Sequence, residues 1–288
     1  MTAGASSWDA LVAASGLARL DAHALLGAAG GRGRAWLIAH GDEPCPPDVA
    51  RAFEALAARR REGEPLAYLL GWKEFRGLRF EVGPAVLVPR PETELLVEAA
   101  LERLPARGAD GGRARLLDLG TGSGAIAVSV ALARPDAAVV ATDVSTEALG
   151  IARGNARRLG AGVEFLHGDW WAALPAGTPA FDAIVSNPPY VAEADPHLLD
   201  PALRHEPRGA LASGAAGLDA IAAIAAGAAA RLAPGGWLLV EHGHDQGGAV
   251  RALLSGAGLA DAATLRDLEG RERVGLARRA AAGPPSPP

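Results

Sequence analysis

The chain is poor in the residues that several common chemistries require. It holds a single cysteine, Cys45, so an intrachain disulfide is excluded. That residue sits in Pro44-Cys45-Pro46-Pro47, which reads as a loop carrying an inert, partly buried thiol. No apolar stretch of ~18 residues escapes charges or helix breakers, which argues against a transmembrane span. The N-terminus has no basic segment followed by an apolar one, so no export signal is read there. A soluble, cytoplasmic protein that makes no use of a membrane is the expectation. Basic residues are not in excess: 28 Lys and Arg stand against 33 Asp and Glu, a net charge of −5. Holding bulk nucleic acid by phosphate neutralisation needs a basic surface, so no direct nucleic-acid partner is expected. Lys73 is the one lysine, which points to a coding bias rather than a function. There is no Gly-x-Ser-x-Gly elbow and no phosphate-binding Gly-Lys-Ser/Thr. His242-Gly243-His244, beside Glu241 and Asp245, lacks a matching cluster elsewhere and reads as a loop after a strand, so no metal is expected.

What is present is apolar and patterned. Hydrophobic residues make up 49% of the chain of 288, although the abundant alanine buries little area per residue. Residues 8–70 read as several short helices, with Trp8, Leu11 and Val12, then Leu25 and Leu26, then Phe53, Leu56 and Ala57 at helical spacing. Breaks fall at Gly30-Gly31 and at the prolines of 44–47. Without strands such a module cannot easily enclose a cofactor, so it is read as a docking domain over 1–72. In 73–90, Phe75, Leu78, Phe80 and Val82 nearly alternate with polar residues, and Val86-Leu87-Val88 is apolar and β-branched, which suggests a hairpin linker. Pro91 and the acids after it suit a helix start.

From residue 114 strands and helices alternate. The expected strands are Arg115–Leu119, Ala138–Thr142, Val163–His167, Ala183–Ser186 and Trp237–Glu241. The expected helices are Gly124–Ala133, Ser145–Leu159 with Ser145 and Gly160 as caps, Leu218–Leu232 and Gln246–Gly256. Two further strands are expected within 259–278. Such alternation predicts an α/β domain over 91–279 with a mostly parallel sheet covered on both faces. The Pro- and Ala-rich tail, 280–288, is expected to be disordered.

Three segments carry chemistry. In Asp118-Leu119-Gly120-Thr121-Gly122-Ser123-Gly124 an apolar strand runs into a glycine-rich turn, where backbone can approach a nucleotide-like cofactor without a Cβ in the way. A plain strand-to-helix turn fits the same residues. Asp143 ends the next strand, where an acid meets ribose hydroxyls; a dinucleotide enzyme would show the same acid, and a solvated carboxylate or N-cap also fits. Asn187-Pro188-Pro189-Tyr190, at the end of an apolar strand, separates these readings. Two prolines supply carbonyls without N–H groups, so the turn is rich in acceptors, as an NH₂ group needs. The Asn187 side-chain carbonyl and the Pro188 carbonyl can each take one N–H, while Tyr190 can cover the planar face or hydrogen-bond to it. Between these, in His167-Gly168-Asp169-Trp170-Trp171, Asp169 can accept from an adenine amino group and Trp170 can stack on the ring; for Trp171 a core position fits nearly as well.

These residues resemble the bacterial release factor glutamine methyltransferases, class I enzymes that use S-adenosylmethionine. The likeness begins near residue 62 and includes Glu64-Pro65-Leu66-Ala67-Tyr68, Val88-Pro89-Arg90-Pro91-Glu92-Thr93-Glu94, the Asp118–Gly124 loop, and Asn187 to Tyr190. Glu206-Pro207, Glu241-x-Gly243-x-x-Gln246 and Asp267-x-x-Gly270-Arg271-x-Arg273 extend it. The Pro-Arg-Pro-Glu-Thr-Glu run narrows the family, because the loop and the Asn-Pro-Pro-Tyr turn are shared with many amino-methyltransferases. The resemblance implies a Rossmann-like methyltransferase domain and, as partner, a release factor whose Gly-Gly-Gln glutamine is the substrate; a monomer is expected. It implies cofactor contacts at Gly120, Thr121, Gly122, Ser123, Gly124, Asp143, Asp169, Trp170 and Asn187. It implies substrate contacts at Asn187, Pro188, Pro189 and Tyr190, with Arg90 and Glu92 at the site's edge. The family usually has an aromatic where this chain has His205, and an aspartate at Ala216. Glutamine of a ribosomal protein, an adenine amino group of DNA or RNA, and an inactive nucleotide-binding scaffold are the competing readings.

Overall fold

A computed structural model describes residues 6–281, which divide into two compact units, 6–73 with 199–205, and 74–198 with 206–281. The first is built of short helices. α1 (Trp8–Ala14) starts on Ser7, whose hydroxyl accepts from the Ala10 N–H, and α2 (Arg19–Gly30) stops where Gly31 turns left-handed. α3 (Arg34–Ala39) follows, then α4 (Pro47–Arg61), with proline at its first position and three arginines in its last turn, and α5 (Leu66–Leu70). Trp8, Leu11, Leu25, Leu26, Leu37 and Phe53 form the core, in which Cys45 is buried.

A hairpin of β1 (Trp72–Phe75) and β2 (Leu78–Glu81) turns at Arg76-Gly77, both with positive φ as a tight two-residue hairpin turn requires. It ends earlier than the sequence suggests. Val86 closes a turn, its N–H donating to the Gly83 carbonyl at 3.1 Å, and Leu87 and Val88 join no sheet: the Val88 N–H donates to the Glu206 carboxylate at 3.0 Å rather than to a neighbouring strand. Propensity favoured a strand there, and a carboxylate took the donor.

The second unit carries a seven-stranded sheet in the order β5-β4-β3-β6-β7-β9-β8. Its strands are β3 (Arg115–Leu119), β4 (Ala138–Asp143), β5 (Val163–His167), β6 (Phe181–Ser186), β7 (Leu232–Glu241), β8 (Ala260–Arg266) and β9 (Glu272–Arg278). β3 to β7 run parallel, and β9 is antiparallel to both neighbours. Because strand side chains alternate between faces, Leu116, Ala183, Val185 and Leu239 pack under α6 (Thr93–Arg103), α7 (Ala125–Ala133) and α8 (Thr146–Leu159). Leu117, Leu119, Ile184, Leu238 and Val240 pack under α9 (Asp219–Arg231) and α10 (Gly247–Gly256). Ser145 and Gly160 cap α8 as expected. β7 starts five residues before the expected Trp237, because a bulge at Gly235-Gly236, where Gly235 has φ 79°, absorbs what reads as a turn. Of the tail expected to be disordered, 282–288 lies outside the described residues.

β3 is flanked by β4 on one side and β6 on the other, and the connections from the carboxyl ends of β3 and β6 run to helices on opposite faces of the sheet, α7 and α9. A crevice forms at such a switch point.

Candidate active site

The carboxyl ends of β3, β4, β5 and β6 deliver all three chemical segments to one cavity. At the end of β3 the Asp118 carboxylate is fully buried. Its Oδ2 accepts from the Thr121 hydroxyl at 2.6 Å and from the Ala127 N–H at 3.2 Å, one of the first-turn donors that α7 leaves unpaired. Burial raises its pKa to about 7 against the pull of those hydrogen bonds, and Asp143 adds a further push upward. The loop it clamps runs through Gly120, Gly122 and Gly124, all left-handed at φ 72°, 55° and 82°. A Cβ on Gly124 would stand 3.2 Å from Ala152, while one on Gly122 would meet nothing within 4 Å. Helix packing thus requires the third glycine, and the turn's own dihedral requires the second.

Asp143 holds the loop from β4: one oxygen accepts from the Gly122 N–H at 2.8 Å, the other from the Ser145 N–H at 2.9 Å. Each oxygen keeps a lone pair for a ligand hydroxyl. The two tryptophans after β5 part company. Trp170 has φ 40°, unusual for a bulky residue, and its ring stands against Gly120 in the cavity wall with exposed Asp169 beside it. Trp171 turns to α9, where its indole N–H donates to the Ala223 carbonyl at 3.0 Å.

Asn187, Pro188 and Pro189 line the same cavity as the glycine loop. The Asn187 Nδ2 donates to the Thr93 hydroxyl at 3.0 Å, and its Oδ1 is buried without a hydrogen-bond partner among the described residues. Buried polar atoms are nearly always paired, and this unpaired acceptor belongs to a residue that lines the cavity. Tyr190 is turned away. Its hydroxyl donates to Glu241 Oε1 at 3.2 Å, its ring packs into the core under α9 and α10, and it does not line the cavity. Burial and the neighbouring Glu241 both push its pKa up. The Tyr190 carbonyl accepts from Gln246 Nε2 at 2.9 Å, and Gly217 (φ 70°) packs so close to it that a Cβ would come within 2.2 Å. Gln246 also donates to the Ala216 carbonyl at 3.2 Å, a contact independent of the side chain at that position. Arg90 and Glu92 do not line the cavity either: Arg90 pairs with Glu206, and Glu92 is exposed.

Three residues given no role from the sequence prove central. Thr93 lines the cavity and holds Asn187; Glu206 joins the 88–90 segment; and Glu241, wholly buried, receives the Tyr190 hydroxyl. Burial raises the Glu241 pKa to about 7, opposed by hydrogen bonding from Thr93 and Tyr190 and by the Arg273 charge. The signal was there for Glu241, an acid closing an otherwise apolar strand. His242 is buried with its Nδ1 on the Gly243 carbonyl at 2.8 Å, and among the described residues no group of three His, Cys, Asp or Glu could hold a metal.

Comparison with known proteins places this geometry. Residues 92–214 match the model of the methyltransferase small domain, and residues 8–71 match that of the PrmC N-terminal domain. The chain is 56% identical over 264 residues to the release factor glutamine methyltransferase of Bordetella pertussis, covering 92% of this chain and 96% of that one. It is 44% identical to the enzyme of the same name from Escherichia coli, over 90% and 92% of the two chains. Among solved structures, the 16S rRNA N2 G1207 methyltransferase of T. thermophilus, in complex with AdoMet and guanosine, is 26% identical with a TM-score of 0.52. That match covers 72% of this chain and 49% of that one. The sheet is that of a class I methyltransferase, and the chain belongs to the release factor glutamine methyltransferase family.

Proposed function

We propose that this protein methylates the side-chain amide nitrogen of the glutamine in the Gly-Gly-Gln motif of peptide chain release factors, using S-adenosylmethionine. The observation that carries the reading is the buried, unpaired Asn187 Oδ1 in a proline turn that lines one cavity together with the glycine loop. The residues fit the cofactor. Left-handed glycines leave the 120–124 backbone open, Asp143 has lone pairs for ribose hydroxyls, Asp169 can accept from the adenine amino group, and Trp170 offers a flat ring. When bound there, S-adenosylmethionine supplies an electrophilic methyl group on a sulfonium.

An amide nitrogen is a weak nucleophile because its lone pair is shared with the carbonyl. Asn187 Oδ1 and the Pro188 carbonyl each take one N–H, which fixes the amide plane and favours positive charge growing on nitrogen. A fixed plane aims the nitrogen at the methyl carbon. No base is needed before attack, because the proton leaves after the N–C bond has formed. Tyr190 shapes the turn from behind, its hydroxyl being committed to Glu241. Among the described residues none of the helical unit lines the cavity, which supports a docking role for residues up to about 72 and chemistry in 91–279.

The test is incubation with labelled S-adenosylmethionine and purified release factor, followed by mass mapping of the methyl group. A label on the Gly-Gly-Gln glutamine is expected, and Asn187→Ala should lower turnover by ~10²–10³ while the fold persists. Methyl appearing on another residue or on a nucleobase would overturn the assignment.

A further inference from the structure

The glycine loop is held by Asp143 of β4 and also by a second residue, on α8. Ala152 and Asn155 stand three positions apart on that helix and so share a face. Ala152 packs on Gly124, where a Cβ would come within 3.2 Å. Asn155 is wholly buried, and all four hydrogen-bonding positions of its amide are used. Its Nδ2 donates to the Ser123 carbonyl at 2.9 Å and to the Glu81 carbonyl at 3.0 Å. Its Oδ1 accepts from the Glu81 N–H at 2.7 Å and from the Arg158 guanidinium at 2.8 Å. Two acceptors on one side and two donors on the other leave a single orientation for the amide.

Ser123 lines the cavity, and Glu81 closes β2. One side chain therefore joins the backbone of the loop to the backbone of the hairpin. Arg158 adds contacts to the Arg79 carbonyl and, at 3.3 Å, to the Glu81 carboxylate. Both of those side chains are exposed, and such pairs contribute little. The buried amide is the firm link.

We infer that Asn155 is a positioning residue that couples the glycine loop to the hairpin, so that a cofactor on the loop orders β2 and β2 in return tightens cofactor binding. The inference rests on S-adenosylmethionine as the proposed cofactor and adds a route of coupling to it. The Ser123 carbonyl is drawn to Asn155 while the Gly124 N–H closes a turn on the Thr121 carbonyl at 2.9 Å, so the peptide between them is set from both sides. A ligand seated on the loop favours the state in which that peptide is set. The set peptide keeps Asn155 where it meets Glu81. Whatever factor β2 contributes to the loop, the loop returns to β2.

The experiment is amide hydrogen exchange on the full chain, with and without S-adenosylhomocysteine, for wild type, Asn155→Leu and Asn155→Ala. Leucine keeps the volume and alanine does not, while both remove every hydrogen bond. In wild type the ligand should protect 120–124 and should slow exchange at Glu81 by about 5–20-fold. In both variants protection of the loop should persist and the effect at Glu81 should vanish. Calorimetric Kd for S-adenosylhomocysteine should rise by the same 5–20-fold, roughly, in each. KM for S-adenosylmethionine should follow it with kcat changed less than about twofold, a split that loss of folded protein does not produce. Wild type alone decides the matter if neither variant folds: a protected loop with unchanged exchange at Glu81 overturns the coupling. An effect at Glu81 that survives in either variant overturns the role of Asn155. No protection of the loop and no heat of binding would instead sink the cofactor reading on which the coupling rests.

Discussion

Glu206 offers a measure of how the cavity is held together. Its side chain is 1% exposed, and its two oxygens accept from the Val88 N–H at 3.0 Å and from the Arg90 guanidinium. Val86, Leu87 and Pro89 line the cavity on one side of that joint, and Pro207, Gly209 and Ala210 on the other. One carboxylate therefore ties two walls. Hydrogen bonds to charged groups contribute ~1.5–3 kcal/mol each. The Arg90 share must be discounted, because that side chain is about a third exposed and water can replace its partner. The Val88 N–H has no such recourse, since Val88 is 5% exposed. Glu206→Ala should thus cost about 2–4 kcal/mol, and Glu206→Gln, which keeps a neutral acceptor, about 1–2 kcal/mol. Urea denaturation reads the stability, and calorimetric titration with S-adenosylhomocysteine reads the cavity. If the walls part locally, apparent Kd rises in inverse proportion to the closed fraction. The expected order of damage in both assays is Ala, then Gln, then wild type. Equal losses for Ala and Gln would show that a neutral acceptor cannot replace the charge, a Gln variant equal to wild type would show that the charge has no part, and an Ala variant unchanged in both assays would refute the tie.

Two further outcomes concern the helical unit and the buried acids. Leu20 and Ile38, 62% and 58% exposed on the helical unit, should mark its docking face. Leu20→Ser with Ile38→Ser is expected to raise KM for whole release factor several-fold while leaving turnover of a Gly-Gly-Gln peptide unchanged, measured with labelled cofactor. The two buried acids set a pH dependence. Asp118 and Glu241 both have folded pKa values raised to about 7, so the folded state binds these protons more tightly than the unfolded chain. Their stabilisation is complete below the ordinary carboxyl range and is lost as pH rises through about 7. Buried His242, with its pKa held down, works the other way at the acid end. The urea midpoint should fall from about pH 5.5 to 7.5, and Asp118→Asn should flatten that fall.

Local chemistry was the legible part of this sequence. The glycine loop, Asp143 and the Asn-Pro-Pro turn each carry their meaning within a few residues, and the parallel sheet follows from alternation of apolar strands with capped helices. What sequence reading missed lies in pairings between distant positions. Thr93 meets Asn187 across 94 residues, Val88 meets Glu206 across 118, and Tyr190 meets Glu241 across 51. No spacing rule reaches that far. The same cause explains Val86 to Val88, whose apolar run fits a strand until a remote carboxylate takes the N–H. It also explains Tyr190, assigned to the substrate because the motif places it there, although its hydroxyl is consumed by an acid on another strand.

These long-range pairs share a direction that gives them chemical sense. A site meant to hold an NH₂ group must show it acceptors, and any free N–H or O–H nearby would compete or repel. Around the nitrogen turn the donors are turned outward one by one. Asn187 gives its N–H to Thr93, Tyr190 gives its O–H to Glu241, Gln246 gives its N–H to the Tyr190 carbonyl, and Val88 gives its N–H to Glu206. Pro188 and Pro189 have no N–H to give. The buried acids Glu206 and Glu241 are then the sinks that let acceptors face inward, at a desolvation cost that Glu241 shows in its raised pKa. Removing a sink frees a donor next to or behind the Asn-Pro-Pro turn, which on the proposed reaction harms turnover more than its distance from the nitrogen suggests. On the proposed reaction, polarity of the surrounding hydrogen bonds, rather than any single catalytic base, fits this cavity to a neutral amide.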